Sequence, residues 1–233
     1  MNLPDTGIDH LVVMADSLEN GVQWCRRTLG VVPAPGGEHP LMGTHNRLIN
    51  LSSAAHPRTY LEIIAIDPAA AARPAGARRW FDMDDAALQA RVAQDGPQLI
   101  HWVAAVPDVA AARSALAERG LDRGEVITAS RPTSLGLLQW RITVRPDGQR
   151  LLDRCLPTLI QWGDRHPCYS LPASGVQLQS LRLEHPEAPA LAAACAAIGL
   201  GAQIAVAPAA TPRLQAVLST PNGPVTLNAL DAA

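Results

Sequence analysis

Two histidines and one glutamate stand in the middle of short apolar segments of the chain. His10 lies in IDHLVVMA, His101 in LIHWVAAV and Glu62 in YLEIIAID. A polar or charged side chain buried in such a segment needs a hydrogen-bond partner or a bound cation, because leaving it unpaired is costly. Two neutral nitrogen donors and one anionic oxygen also suit a divalent transition metal. The three residues are therefore candidate metal ligands, although each is also explained as a hydrogen-bonded core residue.

The segments that carry these residues recur in the same order along the chain. Residues 8–15 predict a buried strand, and Asp16-Ser17 begins a helix that ends at Gly30. After Pro107-Asp108 a second helix follows another apolar strand in the same way. Aligned on the helix starts, His10 and His101 coincide, which indicates two copies of a βαβββ unit. The remaining strands are predicted at 46–51, 60–67, 125–129, 138–144 and 157–162.

Alternation along the strands predicts which side chains share a face. His10 is expected to share a face with Ile8 and Val12, and Glu62 with Tyr60 and Ile64. Both faces of these strands are mostly apolar, which indicates a sheet that helices cover on one side and that curls over a cavity on the other. We expect the histidines and Glu62 to point into that cavity.

A fainter third copy is predicted near the C-terminus, with Ser180 at the position of the histidines. The predicted fold class is α+β, with repeated βαβββ modules that form a cupped, partly open β-barrel and a third degenerate module. The expected domain of paired modules covers 7–167, with modules 7–67 and 98–163 and a helical connection at 68–97. An accessory module without the same chemistry is expected at 175–230.

Composition limits the partners. The formal net charge is −2 and the basic residues are scattered, which argues against nucleic acid and anionic membranes and favours a small-molecule substrate. The four cysteines occur singly, and the N-terminus lacks a basic region before an apolar one. We therefore expect a cytoplasmic protein with reduced thiols.

Several motifs in this order resemble the vicinal oxygen chelate superfamily, which includes glyoxalases, bleomycin-resistance proteins and dioxygenases, and above all its glyoxalase-like branch. The motifs are IDHLVV, HPLMGTHNRLINL, YLEIIAIDP, RRWF, LIHWVAAV, LLQWRITV and TLIQWGDRHP. The resemblance implies a divalent metal (Zn, Ni, Mn or Fe) at the centre of the cup, with His10, Glu62, His101 and Gln161 as ligands. Gln161 stands where a carboxylate is common, and an amide bonded to strand backbone explains it equally well.

Further residues are candidates for substrate contact. Thr44, His45 and Asn46 could line the rim of a pocket, although Gly43 and Asn46 are also typical turn residues. Arg79 and Trp80 could cover the cup, or simply anchor the connecting helix, and Arg79 or Arg141 could bind a carboxylate or a carbonyl. Four other histidines are expected in surface loops because they follow turns or precede prolines, namely His39, His56, His166 and His185.

The resemblance implies an enzyme of the lyase or isomerase type, in which the metal acts as a Lewis acid, stabilises an enolate, and has Glu62 beside it as base. Two alternatives stay open. Two histidines and a carboxylate also suit a non-haem iron ring-cleaving dioxygenase. The same cup could instead bind a drug or metabolite without turnover. Proteins built from paired modules can form dimers, and the predicted architecture is compatible with a homodimer.

Overall fold

The computed structural model describes residues 6–133 and 135–229, which form a mixed α+β fold. These residues contain four α-helices and twelve strands. The helices are α1 (Leu18–Trp24), α2 (Ala86–Asp95), α3 (Val109–Ala117) and α4 (Ala188–Ala197). The strands are β1 (Gly7–Met14), β2 (Ala34–His39), β3 (Thr44–Asn50), β4 (Tyr60–Ile66), β5 (Gln98–Ala105), β6 (Glu125–Thr133), β7 (Gly136–Val144), β8 (Thr158–Trp162), β9 (Gln177–His185), β10 (Ala205–Pro208), β11 (Arg213–Thr220) and β12 (Gly223–Ala229).

The order of elements confirms the predicted repetition. β1-α1-β2-β3-β4 is followed by β5-α3-β6-β7-β8, and β9-α4-β10-β11-β12 runs in the same order. α2 lies in the connection between the first two units. β2 was not predicted, because its sequence APGGEH contains proline and glycine, which are rare inside strands. The predicted end of the accessory module, residue 230, lies outside the described residues.

The helix ends follow the local sequence. The Ser17 hydroxyl accepts a hydrogen bond from Asn20 N–H at the start of α1, and Asp108 caps α3 in the same way. A π-helical turn (Cys25–Leu29) extends α1 until Gly30, whose φ of 74° places it in the left-handed region. The helices therefore begin and end where the sequence predicts.

The first eight strands form one sheet in the order β2-β3-β4-β1-β5-β8-β7-β6. β1 and β5 run antiparallel at its centre, and each pairs in parallel with the last strand of its own unit, β4 or β8. The sheet curls into a nearly closed barrel, and its edge strands β2 and β6 border the one unsealed seam. The predicted cupped, partly open barrel is thus confirmed.

β1 carries a bulge directly before its histidine. Ile8 pairs with Ala104 and His10 pairs with Val103, so Asp9 has no partner in the register. An extra residue of this kind interrupts the alternation of side chains along a strand. Ile8 consequently packs in the outer core on the helix side of the sheet, while His10 faces the cup. The prediction that Ile8 and His10 share a face is therefore wrong.

β5 carries the matching bulge. Val12 pairs with His101 and Val13 pairs with Leu99, which leaves Ile100 without a partner. Two bulges at equivalent positions, each one residue before the histidine, support the view that the two units are copies of one another.

The barrel sheet separates two apolar cores. The inner core fills the closed end of the cup with residues from the facing strands and from α2. The outer core lies between the barrel sheet, α1, α3, α4 and a second sheet of order β10-β9-β11-β12, so the C-terminal strands share one core with the barrel. Within the described ranges, every helix is too short or too polar to cross a membrane.

Candidate functional site

Asp9 and His10 form a buried hydrogen-bonded pair at the cup side of β1. His10 Nδ1 lies 2.6 Å from Asp9 Oδ1, and both side chains are almost fully buried. An ionised carboxylate only accepts hydrogen bonds, which assigns the proton to Nδ1. The other ring nitrogen, Nε2, lies 3.7 Å from Glu62 Oε2. His10 is therefore oriented by one carboxylate and turned towards a second.

Asp9 is the centre of this network. Besides His10, its carboxylate accepts hydrogen bonds from Trp162 Nε1 at 2.7 Å and His166 Nε2 at 3.2 Å. Burial on its own raises the pKa of Asp9, but the hydrogen bonds and charges of His10 and His166 outweigh burial and hold the pKa well below its usual value. Asp9 thus stays ionised at neutral pH.

Sequence reasoning missed this network for two reasons. Strict alternation assigns Asp9 to the face away from His10, and the bulge reverses that assignment. His166 precedes a proline and was expected in a surface loop, but it is 4% exposed, and His185 is also buried. A usable signal was present, because a carboxylate beside a histidine inside an apolar strand demands a buried partner.

Glu62 is held by the neighbouring strand β3, on the side away from β1 and His10. Its Oε1 accepts a hydrogen bond from Asn46 Nδ2 at 2.6 Å, which leaves Oε2 facing His10. The Tyr60 ring stacks on the His10 imidazole at a centroid distance of 4.5 Å. Burial, followed by the charges of Asp9 and Glu62, raises the pKa of Tyr60 well above its usual value, so this phenol stays neutral.

Two consecutive glycines of β2 make room for side chains from other strands. A methyl group at Gly36 would overlap Asn46, and one at Gly37 would overlap the guanidinium of Arg131. Gly37 N–H also donates to Asn46 Oδ1 at 2.8 Å, which fixes the amide that holds Glu62. The glycines that hid β2 in the sequence are thus part of the site's construction.

His39 and Trp80 close the site on the far side. The His39 ring contacts the edge of Trp80 at a centroid distance of 5.0 Å, and its Nδ1 lies 3.0 Å from Thr44 Oγ1. Burial lowers the pKa of His39 to about 4, so the ring is neutral at pH 7. The expectation of a surface loop is wrong for this histidine as well. Trp80 is 9% exposed, and its indole nitrogen has no hydrogen-bond partner within the described part of the chain.

These residues enclose a small inner cavity of about 40 Å³. That volume holds one or two waters or a group of a few heavy atoms, not a whole metabolite. Its walls carry both ionisable and aromatic side chains, namely His10, His39, Asn46, Leu48, Tyr60, Glu62, Trp80, Phe81, Arg131, Leu138, Trp140, Ile142, Ile160 and Trp162.

His101, the equivalent of His10, has a different environment. It is fully buried, and its Nε2 lies 3.0 Å from Thr158 Oγ1 and accepts from Thr158 N–H at 3.2 Å. The buried Arg123 guanidinium also donates to Thr158 Oγ1. Burial, followed by the charges of Arg123 and Arg150, lowers the pKa of His101 well below its usual value. The Phe81 ring packs against the His101 imidazole at a centroid distance of 5.0 Å.

Strand register identifies the counterpart of Glu62. Glu62 pairs with Val12, two residues after His10, and Thr158 pairs with Val103, two residues after His101. Thr158, and not the predicted Gln161, therefore occupies the equivalent position. The second unit has a hydroxyl and a buried arginine where the first unit has a carboxylate.

The structure does not bring Gln161 to the other predicted ligands. Its Oε1 accepts from Val109 N–H at 3.1 Å at the start of α3 and from Arg141 Nη1 at 3.3 Å, on the helix side of the sheet. Within residues 6–133 and 135–229, no three His, Cys, Asp or Glu side chains are grouped to hold a metal ion. Because His101 Nε2 is bonded and a guanidinium lies beside it, these donors do not fit the four-ligand metal centre that the resemblance implies.

The predicted substrate contacts are divided between the site and its surroundings. Asn46 and Trp80 line the inner cavity, and Thr44 supports it through His39. The other three lie elsewhere: His45 faces Asp67, Arg79 pairs with Asp84, and Arg141 lies on the exposed outer side.

A family model described as a glyoxalase-like domain matches residues 8–199. No curated protein matches this chain. Among solved structures, a hypothetical protein from Staphylococcus aureus is 13% identical, with 96% of this chain and 85% of that chain covered and a TM-score of 0.51. At this identity the likeness shows a shared fold and nothing more.

Two methylmalonyl-CoA epimerases are also similar in structure. One, from Streptomyces coelicolor in complex with 2-nitronate-propionyl-CoA, is 17% identical over 68% of this chain and 94% of that chain, with a TM-score of 0.39. The other, from Mycobacterium tuberculosis, is 14% identical over 67% of this chain and 86% of that chain, with a TM-score of 0.36. Both belong to the vicinal oxygen chelate superfamily.

Proposed function

The chain belongs to the glyoxalase-like domain family, and from that premise we propose that it is an enzyme of the isomerase or lyase type that moves a proton on a small, oxygen-bearing substrate. The observation that supports this proposal is the buried series Asp9, His10 and Glu62 at the wall of the inner cavity. His10 Nε2 and Glu62 Oε2 are too far apart at 3.7 Å for a good direct hydrogen bond. A substrate atom or a water can therefore contact both groups.

Glu62 is the proposed base. Its Oε2 accepts a proton from the carbon next to the substrate carbonyl, while Asn46 holds Oε1 and fixes the direction of the carboxylate. The proton returns to a neighbouring atom from Glu62 or, after transfer across the gap, from His10. Asp9 is a positioning residue, because its hydrogen bond to Nδ1 sets the tautomer and the orientation of the His10 ring. Trp80 contributes its ring to the wall of the inner cavity.

The metal-dependent form of this chemistry and the iron dioxygenase stay predictions from the sequence resemblance. Both need ligands that His101 and Gln161 do not supply together with His10 and Glu62. Binding without turnover is the remaining alternative. The three possibilities differ in metal content and in exchange of substrate protons, so one set of measurements separates them.

The test is exchange of carbon-bound protons with deuterated water, followed by NMR. The compounds are oxo-aldehyde thiol adducts, 2-oxo acids and acyl thioesters, each incubated with protein as purified and with protein treated with a chelator. We expect chelation to leave exchange unchanged, and Glu62→Gln and His10→Asn to slow it by a factor of about 10²–10⁴. Glu118→Gln and His56→Asn are matched controls, since both residues lie away from the cavity.

Each other outcome identifies an alternative. Exchange that is lost on chelation and restored by one metal would favour the metal-dependent reaction. Oxygen-dependent ring cleavage of a catechol would favour the dioxygenase. Wild-type exchange in Glu62→Gln, or tight binding without exchange of any compound, would refute the proposal.

A further inference from the structure

A wider groove of about 400 Å³ lies beside the inner cavity, along the seam of the barrel. Its walls come from β2, from the end of β6 and from the segment 165–172. The groove and the inner cavity share Leu48, Arg131 and Leu138 as lining residues, so the two spaces adjoin. A volume of this size is typical of small-molecule pockets, whereas the inner cavity admits only a few atoms. One ligand can therefore lie in the groove and reach Glu62 with one end.

The groove carries two positive charges, Arg131 and Arg165. Two other arginines near the barrel form ion pairs, Arg79 with Asp84 and Arg150 with Asp82. Within the described ranges, no carboxylate forms an ion pair with Arg131 or Arg165, although Arg131 is half-buried. Neither guanidinium of the groove is therefore held in an ion pair with a described carboxylate, and the carboxylate that shares a cavity with Arg131 is Glu62.

Arg131 is built into the fold at the junction of groove and cavity. Its guanidinium lies against Gly37 on the facing edge strand, in space that any larger side chain would fill. Its charge adds to the burial that lowers the pKa of His39, and it acts against the rise in the pKa of Tyr60. Arg131 consequently faces the groove and the acid–base groups at once.

We propose that the seam groove binds the anionic group of an organic acid, a carboxylate or a phosphate, through Arg131 and Arg165. Guanidinium groups bind such oxyanions through paired, charge-assisted hydrogen bonds. The binding site stands on its own; the further claim that the carbonyl end of this anion reaches Glu62 rests on the proposed function. The substrates are then small organic anions that span the groove and the cavity.

Calorimetric titration with matched probes tests the anion site. Glutarate is compared with glutaramide of the same length, and phenyl phosphate with benzyl alcohol, which separates a carboxylate from a phosphate preference. We expect one anion of the two pairs to bind at least about tenfold more tightly than its neutral partner, and this advantage to shrink as salt is raised. Arg131→Gln should weaken that binding about tenfold, and Arg165→Gln, which is exposed, about two- to fivefold.

Two further variants keep the result interpretable. Arg131→Lys retains the charge and should keep part of the affinity, and Arg26→Gln changes an exposed arginine away from the groove and should change nothing. Equal binding of charged and neutral probes, or unchanged affinity in Arg131→Gln that is folded by circular dichroism, would overturn the anion site. Glu62→Gln should still bind the anion, so loss of proton exchange with intact binding would refute the proposed function alone.

Discussion

Replacing Asp9 by asparagine removes the charge at the centre of the buried network and keeps the size of the side chain. The Asp9 carboxylate accepts hydrogen bonds from His10, Trp162 and His166, and an asparagine has only one accepting oxygen. Its amide group would therefore face a donor in the interior, without water to relieve the conflict. Asp9→Asn is expected to destabilise the fold as well as to misorient His10.

The size of the effect follows from the burial and the partners. Breaking a buried charged group away from its partners costs about 3–5 kcal/mol. In a chain of this length that loss corresponds to a fall in Tm of roughly 6–20 °C. Asp9 has a lower pKa in the folded protein than in the unfolded chain, so the stability it contributes is present above about pH 4 and is lost as pH falls through the folded pKa. Between pH 7 and pH 3 the difference in the free energy of unfolding between wild type and Asp9→Asn should therefore fall by about 1 kcal/mol.

Urea denaturation at pH 7 and pH 3, followed by tryptophan fluorescence, measures the destabilisation caused by Asp9→Asn and its change with pH. The control is Asp95→Asn, since Asp95 is exposed at the end of α2 and should change stability by less than about 0.5 kcal/mol. If Asp9→Asn lowers the free energy of unfolding by less than about 1 kcal/mol at pH 7, or if its difference from wild type does not change with pH, the charge of Asp9 is not what stabilises this network.

Gly36→Ala places a methyl group against the backbone of β3 and is expected to lower the free energy of unfolding by about 1–3 kcal/mol in urea titrations. In Gly37→Ala the new methyl group meets only the flexible end of Arg131, so the free energy of unfolding should change by less than about 1 kcal/mol while anion binding weakens several-fold. A larger loss of stability in Gly37→Ala than in Gly36→Ala would contradict the packing described for β2. Gln161→Ala removes a hydrogen-bond acceptor at the start of α3 and should lower the free energy of unfolding by about 1 kcal/mol. Proton exchange should continue at the wild-type rate, and slower exchange would indicate that Gln161 belongs to the site. Thr158→Val removes the oxygen that Arg123 and His101 share and should cost about 1–3 kcal/mol in thermal unfolding, a prediction that unchanged stability would refute.

The repeated units were predictable because their signals are local. Ser17 and Asp108 cap helices at equal distances from His10 and His101, and apolar strands precede both caps. Caps and periodicity depend on a few neighbouring residues, so they survive in a single sequence. Glu62 could also be placed in the cup, since its strand keeps strict alternation.

The second half of the site was not predictable, because it depends on register between distant strands. Counting residues from His101 to the last strand of its unit leads to Gln161, which stands three positions after the true equivalent, Thr158. An odd shift along a strand moves a side chain to the opposite face, which is why Gln161 contacts α3 instead of the cup. The unit lengths alone cannot reveal such a shift, and no local signal in TLIQW marks the threonine. The two half-sites therefore share their backbone, including the bulges, but differ in chemistry, because the first has a carboxylate where the second has a hydroxyl and an arginine.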